Sequence, residues 1–225
     1  MSVVTVYIDG NIGSGKTTLI QNIANQYSNI YPIYENVGKW IDSQLLNNYY
    51  ANPKKYALAF QLEVIRSRLK QFNKMIQFIN DHTSRSQLHT PIILVERSFE
   101  SNKMCFAERL YKQHDMTTNE WNTYSRKYKK IVECVDQTIH SIAKRVYYIH
   151  LNTSPKVCKT RIATRNRNEE SELTLSFLEE IDMYHKQLFK QLKENGNTVL
   201  ILNDVCIADI IQRISKNSQI FDVDI

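Results

Sequence analysis

The residues best suited to chemistry lie near the start of the chain. Gly10-Asn11-Ile12-Gly13-Ser14-Gly15-Lys16-Thr17 fits the spacing G-x-x-x-x-G-K-[ST], with Thr18 directly after it. Glycines at such positions let the backbone curl until its N–H groups face one centre, and a following helix N-terminus adds positive potential. Lys16 adds a full charge for β- and γ-phosphates, and the Thr17 hydroxyl suits Mg²⁺. The chain holds only five glycines and three fall in these six residues, so an ordinary turn is a poor explanation. The ligand this loop calls for is ATP or GTP. A guanine-reading Asn-Lys-x-Asp is absent from the sequence, which argues against a GTPase.

Groups able to act on a triphosphate follow downstream. Glu35 comes directly after the apolar run Tyr31–Tyr34, and Glu96 directly after Ile-Ile-Leu-Val, with Arg97 next to it. An acid at the C-terminal end of a parallel strand beside a phosphate loop is placed to hold Mg²⁺, directly or through water. From Lys156 to Arg167 the chain carries Lys156, Lys159, Arg161, Arg165 and Arg167 with no acid. Arg161 and Arg165 are four apart and share a helix face, where they could clamp a migrating phosphoryl group. The plain alternative is a solvated basic face.

Five short β-rich runs must position these groups: Val3–Ile8, Tyr31–Tyr34, Pro91–Val95, Val146–Leu151 and Thr198–Leu202. Most are continuously apolar, as strands covered on both faces are. They alternate with segments of helical spacing, including Thr17–Gln26 after the loop, which predicts a parallel α/β sheet with helices on both faces. Pro32 and Pro91 fall at predicted strand starts, and Asn52-Pro53 and Ser154-Pro155 read as N-cap followed by N1. Two long helices are predicted over 54–82 and 118–143. The first carries Ile65, Leu69, Phe72, Ile76 and Ile79, and the second Trp121, Tyr124, Tyr128, Ile131, Val135 and Ile142. Both stripes could face the core, or part of one could join two subunits. A single domain over 1–225 is expected.

Net charge is +6, in keeping with either a phosphate-bearing partner or a generic solubility charge. The four scattered cysteines argue against a zinc site or a disulfide framework and for a reducing compartment. No run is long and apolar enough for a membrane span, and no leader is evident, so a cytoplasmic protein is expected.

Four blocks in order resemble the deoxynucleoside kinase family, over roughly residues 3–205: Asp9-Gly-Asn-Ile-Gly-Ser-Gly-Lys-Thr-Thr18, Glu35-Asn-Val-Gly-Lys-Trp40, Glu96-Arg97-Ser98, and Arg161-Ile-Ala-Thr-Arg165-Asn-Arg167-Asn-Glu-Glu170. The resemblance implies a P-loop three-layer sandwich with a five-stranded parallel sheet, a lid over about 156–172, and Mg²⁺-dependent transfer of a nucleoside triphosphate's γ-phosphate to a deoxynucleoside 5′-hydroxyl. It makes Glu35 the base, with Glu96 as the alternative, and sets Arg97 against Glu35 and the 5′-oxygen. It implies Tyr50 and Glu170 at the sugar 3′-hydroxyl, and Gln61, after Phe60, at the base edge. Arg68 and Asn102 would help to choose the base, with deoxycytidine and purine deoxynucleosides favoured. Trp40, Tyr49 and Phe106 would wall it. Asp204 and Val205 would touch adenine. Asn36 departs from the family's proline, and Asn102 from its acid. A homodimer through the long helices is implied, with neither nucleic acid nor membrane as partner. A nucleoside monophosphate kinase of the thymidylate type stays open, although a carboxylate at Glu35 would repel an acceptor phosphate. A nucleotide-binding module without turnover also stays open.

Overall fold

The computed structural model describes residues 3–83 and 91–203. Asp204 and Val205 lie outside the described residues. Five strands there form one sheet: β1 (Val3–Gly10), β2 (Ile30–Ile33), β3 (Ile92–Glu96), β4 (Ala143–Leu151) and β5 (Thr198–Leu202). All neighbours run parallel in the order β2-β3-β1-β4-β5. Each parallel step needs a crossover, and the helices provide it. They are α1 (Lys16–Gln26), α2 (Val37–Asp42), α3 (Leu45–Ala51), α4 (Pro53–Thr83), α5 (Phe99–Ser101), α6 (Glu108–Lys112), α7 (Thr118–Ile142), α8 (Pro155–Arg165) and α9 (Leu175–Glu194). A π-helical stretch, Asn102–Ala107, joins α5 to α6, and a 3₁₀ turn, Asn168–Glu170, lies between α8 and α9.

The period-two alternation of β1 separates the two faces of the sheet. Val4, Val6 and Ile8 pack with Leu19, Ile20 and Ile23 of α1. On the other face Val3 and Ile93 meet α4 and α7, while Tyr7 and Tyr148 meet Tyr184, Leu188 and Phe189 of α9. The predicted stripes of α4 and α7 join one cluster through Ile65, Phe72, Ile79, Tyr124, Tyr128 and Val135, with Leu69, Ile76, Trp121 and Ile131 partly buried against it. The core reading of these stripes therefore holds for most of their residues.

Strand limits differ from expectation by a few residues. β1 runs on to Gly10 and β4 starts at Ala143, because α7 passes into it without a loop. Pro32 lies within β2 rather than at its start; β2 is an edge strand, where one side of the backbone needs no ladder partner. Both Pro-marked helix starts are capped as expected. Asn52 Oδ1 accepts from Lys55 N–H at 3.2 Å, and Ser154 Oγ from Val157 N–H at 3.4 Å.

Candidate active site

β1 ends in the glycine loop and α1 begins at Lys16, so the loop's N–H groups and the helix N-terminus converge. Gly13 has φ +78, and a Cβ there would stand 2.7 Å from the Cys158 carbonyl oxygen. Only glycine allows this curl at that distance from α8. The loop is tied to distant elements. Asn11 Nδ2 donates to Leu178 O of α9 at 2.7 Å, and Ser14 O accepts from Thr153 Oγ1 at 3.1 Å and Arg161 Nη1 at 3.0 Å. Lys16 Nζ donates to Gly10 O and Asn11 O at 3.2 and 2.8 Å. Burial, aided by repulsion from Arg97, lowers its pKa to about 8.

The strand ends deliver the acids beside the loop. Thr17 Oγ1 donates to Glu96 Oε1 at 2.8 Å, and the Glu35 N–H donates to Glu96 Oε2 at 3.2 Å. Two hard oxygen donors thus share one point next to Lys16. That set fits Mg²⁺, which takes one or two protein oxygens and leaves its other positions to phosphates and water. Among the described residues no cluster of three or more His, Cys, Asp or Glu forms an all-protein cage.

Glu35 Oε1 accepts from Arg97 Nε at 3.1 Å and from Arg68 Nη2 at 3.0 Å. Burial would push the Glu35 carboxyl up, but Arg97, Arg68 and Lys16 outweigh it and hold it below its ordinary value. Arg97 has φ +70, an unusual conformation for a non-glycine residue that costs about 1–3 kcal/mol. Its N–H donates to Ile8 O at 2.9 Å, and its guanidinium lies 4.7 Å from the Phe106 ring centre. Behind it, Asp9 takes the Ser98 N–H on both oxygens at 3.2 Å, and Ser98 Oγ caps α5.

A cavity of about 510 Å³ runs from the loop past Glu35 into an aromatic chamber. Ile12, Gly13, Gly15, Lys16, Thr17, Thr18, Glu35, Glu96, Arg97, Arg161 and Arg165 line the loop side and its approach. Trp40, Tyr49, Tyr50, Gln61, Asn102, Phe106 and Glu170 line the remainder. Tyr49 stacks on Phe60 at 4.6 Å, with Trp40 edge-on to Phe60 at 5.6 Å. Gln61 Oε1 and Asn102 Nδ2 are buried without hydrogen-bond partners, one an acceptor and the other a donor. Such atoms in a chamber wall are costly unless a ligand satisfies them.

Gly10, Asn11 and Ser14 lie behind the loop rather than on the cavity wall. Arg68 is also off the wall. Besides Glu35, it donates to Glu96 O at 2.9 Å and to Arg97 O. Glu170 is paired with Arg165, whose Nε is 2.8 Å away, and with Arg167 at 3.4 Å. Val37, Leu46 and Phe177 also line the cavity and escaped the sequence reading, as did His185 behind Arg97. Apolar residues of this kind carry no signal that separates wall from core.

A model of the deoxynucleoside kinase family matches residues 6–222. A probable deoxycytidine kinase of fowlpox virus is 28% identical over 215 residues, covering 96% of this chain and 84% of its own. Human deoxycytidine kinase is 26% identical over 211 residues, covering 84% of this chain and 77% of its own. A mitochondrial deoxyguanosine kinase of Xenopus laevis is 27% identical over 214 residues, covering 86% and 76%. With a glycine loop, a paired hydroxyl and carboxylate, and a match over nearly its whole length, the chain belongs to the deoxynucleoside kinase family.

Proposed function

We propose that this kinase transfers the γ-phosphoryl group of ATP to the 5′-hydroxyl of a deoxynucleoside, with deoxycytidine favoured and purine deoxynucleosides next. The observation that carries this reading is the place of Glu35. It sits on the cavity wall between the phosphate loop and the aromatic chamber, held by two arginines. An acceptor in the chamber brings its 5′-oxygen to this carboxylate. The oxygen bonds to the γ-phosphorus, the bond to the β,γ-bridging oxygen breaks, ADP leaves, and the hydroxyl proton passes to Glu35. A carboxylate held below its ordinary pKa is a weak base, which suits a loose transition state in which the proton moves late. Lys16, Arg161 and Arg165 meet the phosphates. Thr17 and Glu96 would hold Mg²⁺, which neutralises charge on the β- and γ-phosphate oxygens.

Gln61 Oε1 and Asn102 Nδ2 offer an acceptor and a donor to the base. The Watson–Crick edge of each of the four bases sets a donor beside an acceptor to answer them, so the pair fits a base without choosing one. The relatives named as deoxycytidine and deoxyguanosine kinases support the proposed preference. We extend the proposal to a homodimer of single-domain chains in the cytoplasm. No helix among the described residues is long and apolar enough to cross a membrane, and Cys105, Cys134 and Cys158 are free.

Labelled ATP with each of the four deoxynucleosides and with dTMP tests the reading. Deoxycytidine should be phosphorylated fastest. Transfer to dTMP with none to any nucleoside would overturn it.

A further inference from the structure

His185 reaches the site from behind, on an element that carries none of the expected catalytic groups. It lies fully buried on α9. Its Nδ1 is 2.9 Å from Ile181 O, and its Nε2 is 3.2 Å from Arg97 Nη1. A carbonyl oxygen only accepts and a guanidinium only donates. The two contacts therefore fix the tautomer: Nδ1 carries the hydrogen and Nε2 offers its lone pair to Arg97. We infer that His185 is a positioning residue for phosphoryl transfer, an uncharged acceptor that fixes the Arg97 guanidinium against Glu35; this rests on the reading of Glu35 and Arg97 given above.

The remaining contacts of Arg97 show what the imidazole adds. Arg97 Nε holds Glu35, Nη1 also reaches Gly10 O at 3.3 Å, and the Phe106 ring covers one face. Glu35 is itself a reacting group, and Gly10 O is shared with Lys16 Nζ at 3.2 Å, so neither offers Arg97 an anchorage of its own. His185 offers it from the back of the site. Its ring is locked in turn, nearly parallel to His150 at 5.9 Å, and His150 lies on Phe189 at 4.6 Å. Burial, and Arg97 itself, keep the His185 imidazolium disfavoured. A protonated ring would lose the lone pair and set a second positive charge against the guanidinium.

The experiment compares His185→Phe, which keeps a flat ring against His150 but no acceptor, with His185→Gln, which restores an acceptor. His185→Phe should lower kcat about tenfold or more while the KM for ATP stays within about twofold, and His185→Gln should recover most of the rate. Wild-type kcat in a folded His185→Phe protein, or equal losses in both variants, would overturn the inference. Should His185→Phe fail to fold, the ¹⁵N spectrum of the wild-type imidazole decides. A bare Nε2 with a protonated Nδ1 supports the role, and a hydrogen on Nε2 removes it. An inactive wild-type enzyme would instead count against the kinase reading, while normal wild-type turnover with an unaffected His185→Phe variant counts against His185 alone.

Discussion

At the scale of single residues, the site works by setting opposite charges at short distance in a buried place. Glu35 stays ionised because Arg97, Arg68 and Lys16 together outweigh its burial. Glu35→Gln keeps the shape and removes the charge, so turnover should fall by about 100-fold or more with nucleotide affinity nearly intact. Steady-state kinetics beside a nucleotide-binding titration would show this. Near-normal turnover, with Glu96→Gln inactive, would move the base to Glu96. Because its pKa is depressed, Glu35 should add no acid limb to the kcat profile above about pH 5. Lys16 behaves in the opposite way. With its pKa lowered to about 8, it carries charge below that value and loses it above. The profile of kcat/KM for ATP should therefore fall as pH rises through about 8. Bound phosphates hold the proton on, so kcat should stay level to higher pH. A kcat/KM that stays flat well past pH 8 would contradict the assignment.

At the scale of elements, two helices brace the phosphate loop from outside. α8 approaches so closely that its Cys158 carbonyl leaves no room for a Cβ at residue 13. Gly13→Ala combines that clash with a left-handed backbone, a strain of about 1–3 kcal/mol. Nucleotide affinity should drop about tenfold or more, which calorimetry would detect. Unchanged affinity would mean that the loop adopts another shape. α9 reaches both halves of the site, at Asn11 through Leu178 O and at Arg97 through His185. The π-helical stretch after α5 has a related effect, since Asn102 and Phe106 from its widened turn both face the cavity.

At the scale of the whole molecule, the strand order places β1 between β3 and β4, with the loop after β1 and Glu96 at the end of β3 side by side. A parallel sheet brings its functional loops to the carboxyl ends of the strands, and the cavity opens there. Leu69, Ile76 and Ile131 on α4 and α7 are only partly buried against the core, and the homodimer proposed above would cover what they leave exposed. Sedimentation should give twice the mass of the chain, and the mass of a single chain would exclude that assembly.

The resemblance carried by the four blocks pointed to most of the wall, while the glycine spacing, the apolar runs and the Pro-marked caps determined the sheet and the phosphate loop by themselves. These features depend on local geometry, which neighbouring residues report. Glu35, Glu96 and Arg97 were legible because each ends or follows a strand, where side chains must emerge at the same edge. Only the tertiary structure decided that Arg68 points at Glu35 and two backbone carbonyls rather than into the chamber, since its aim depends on how α4 is rotated and inclined against the sheet. It alone paired Glu170 with the arginines of the basic segment and set His185 behind Arg97, 88 residues away. Contacts at that separation depend on how helices seat on the sheet, and no spacing within one segment records it.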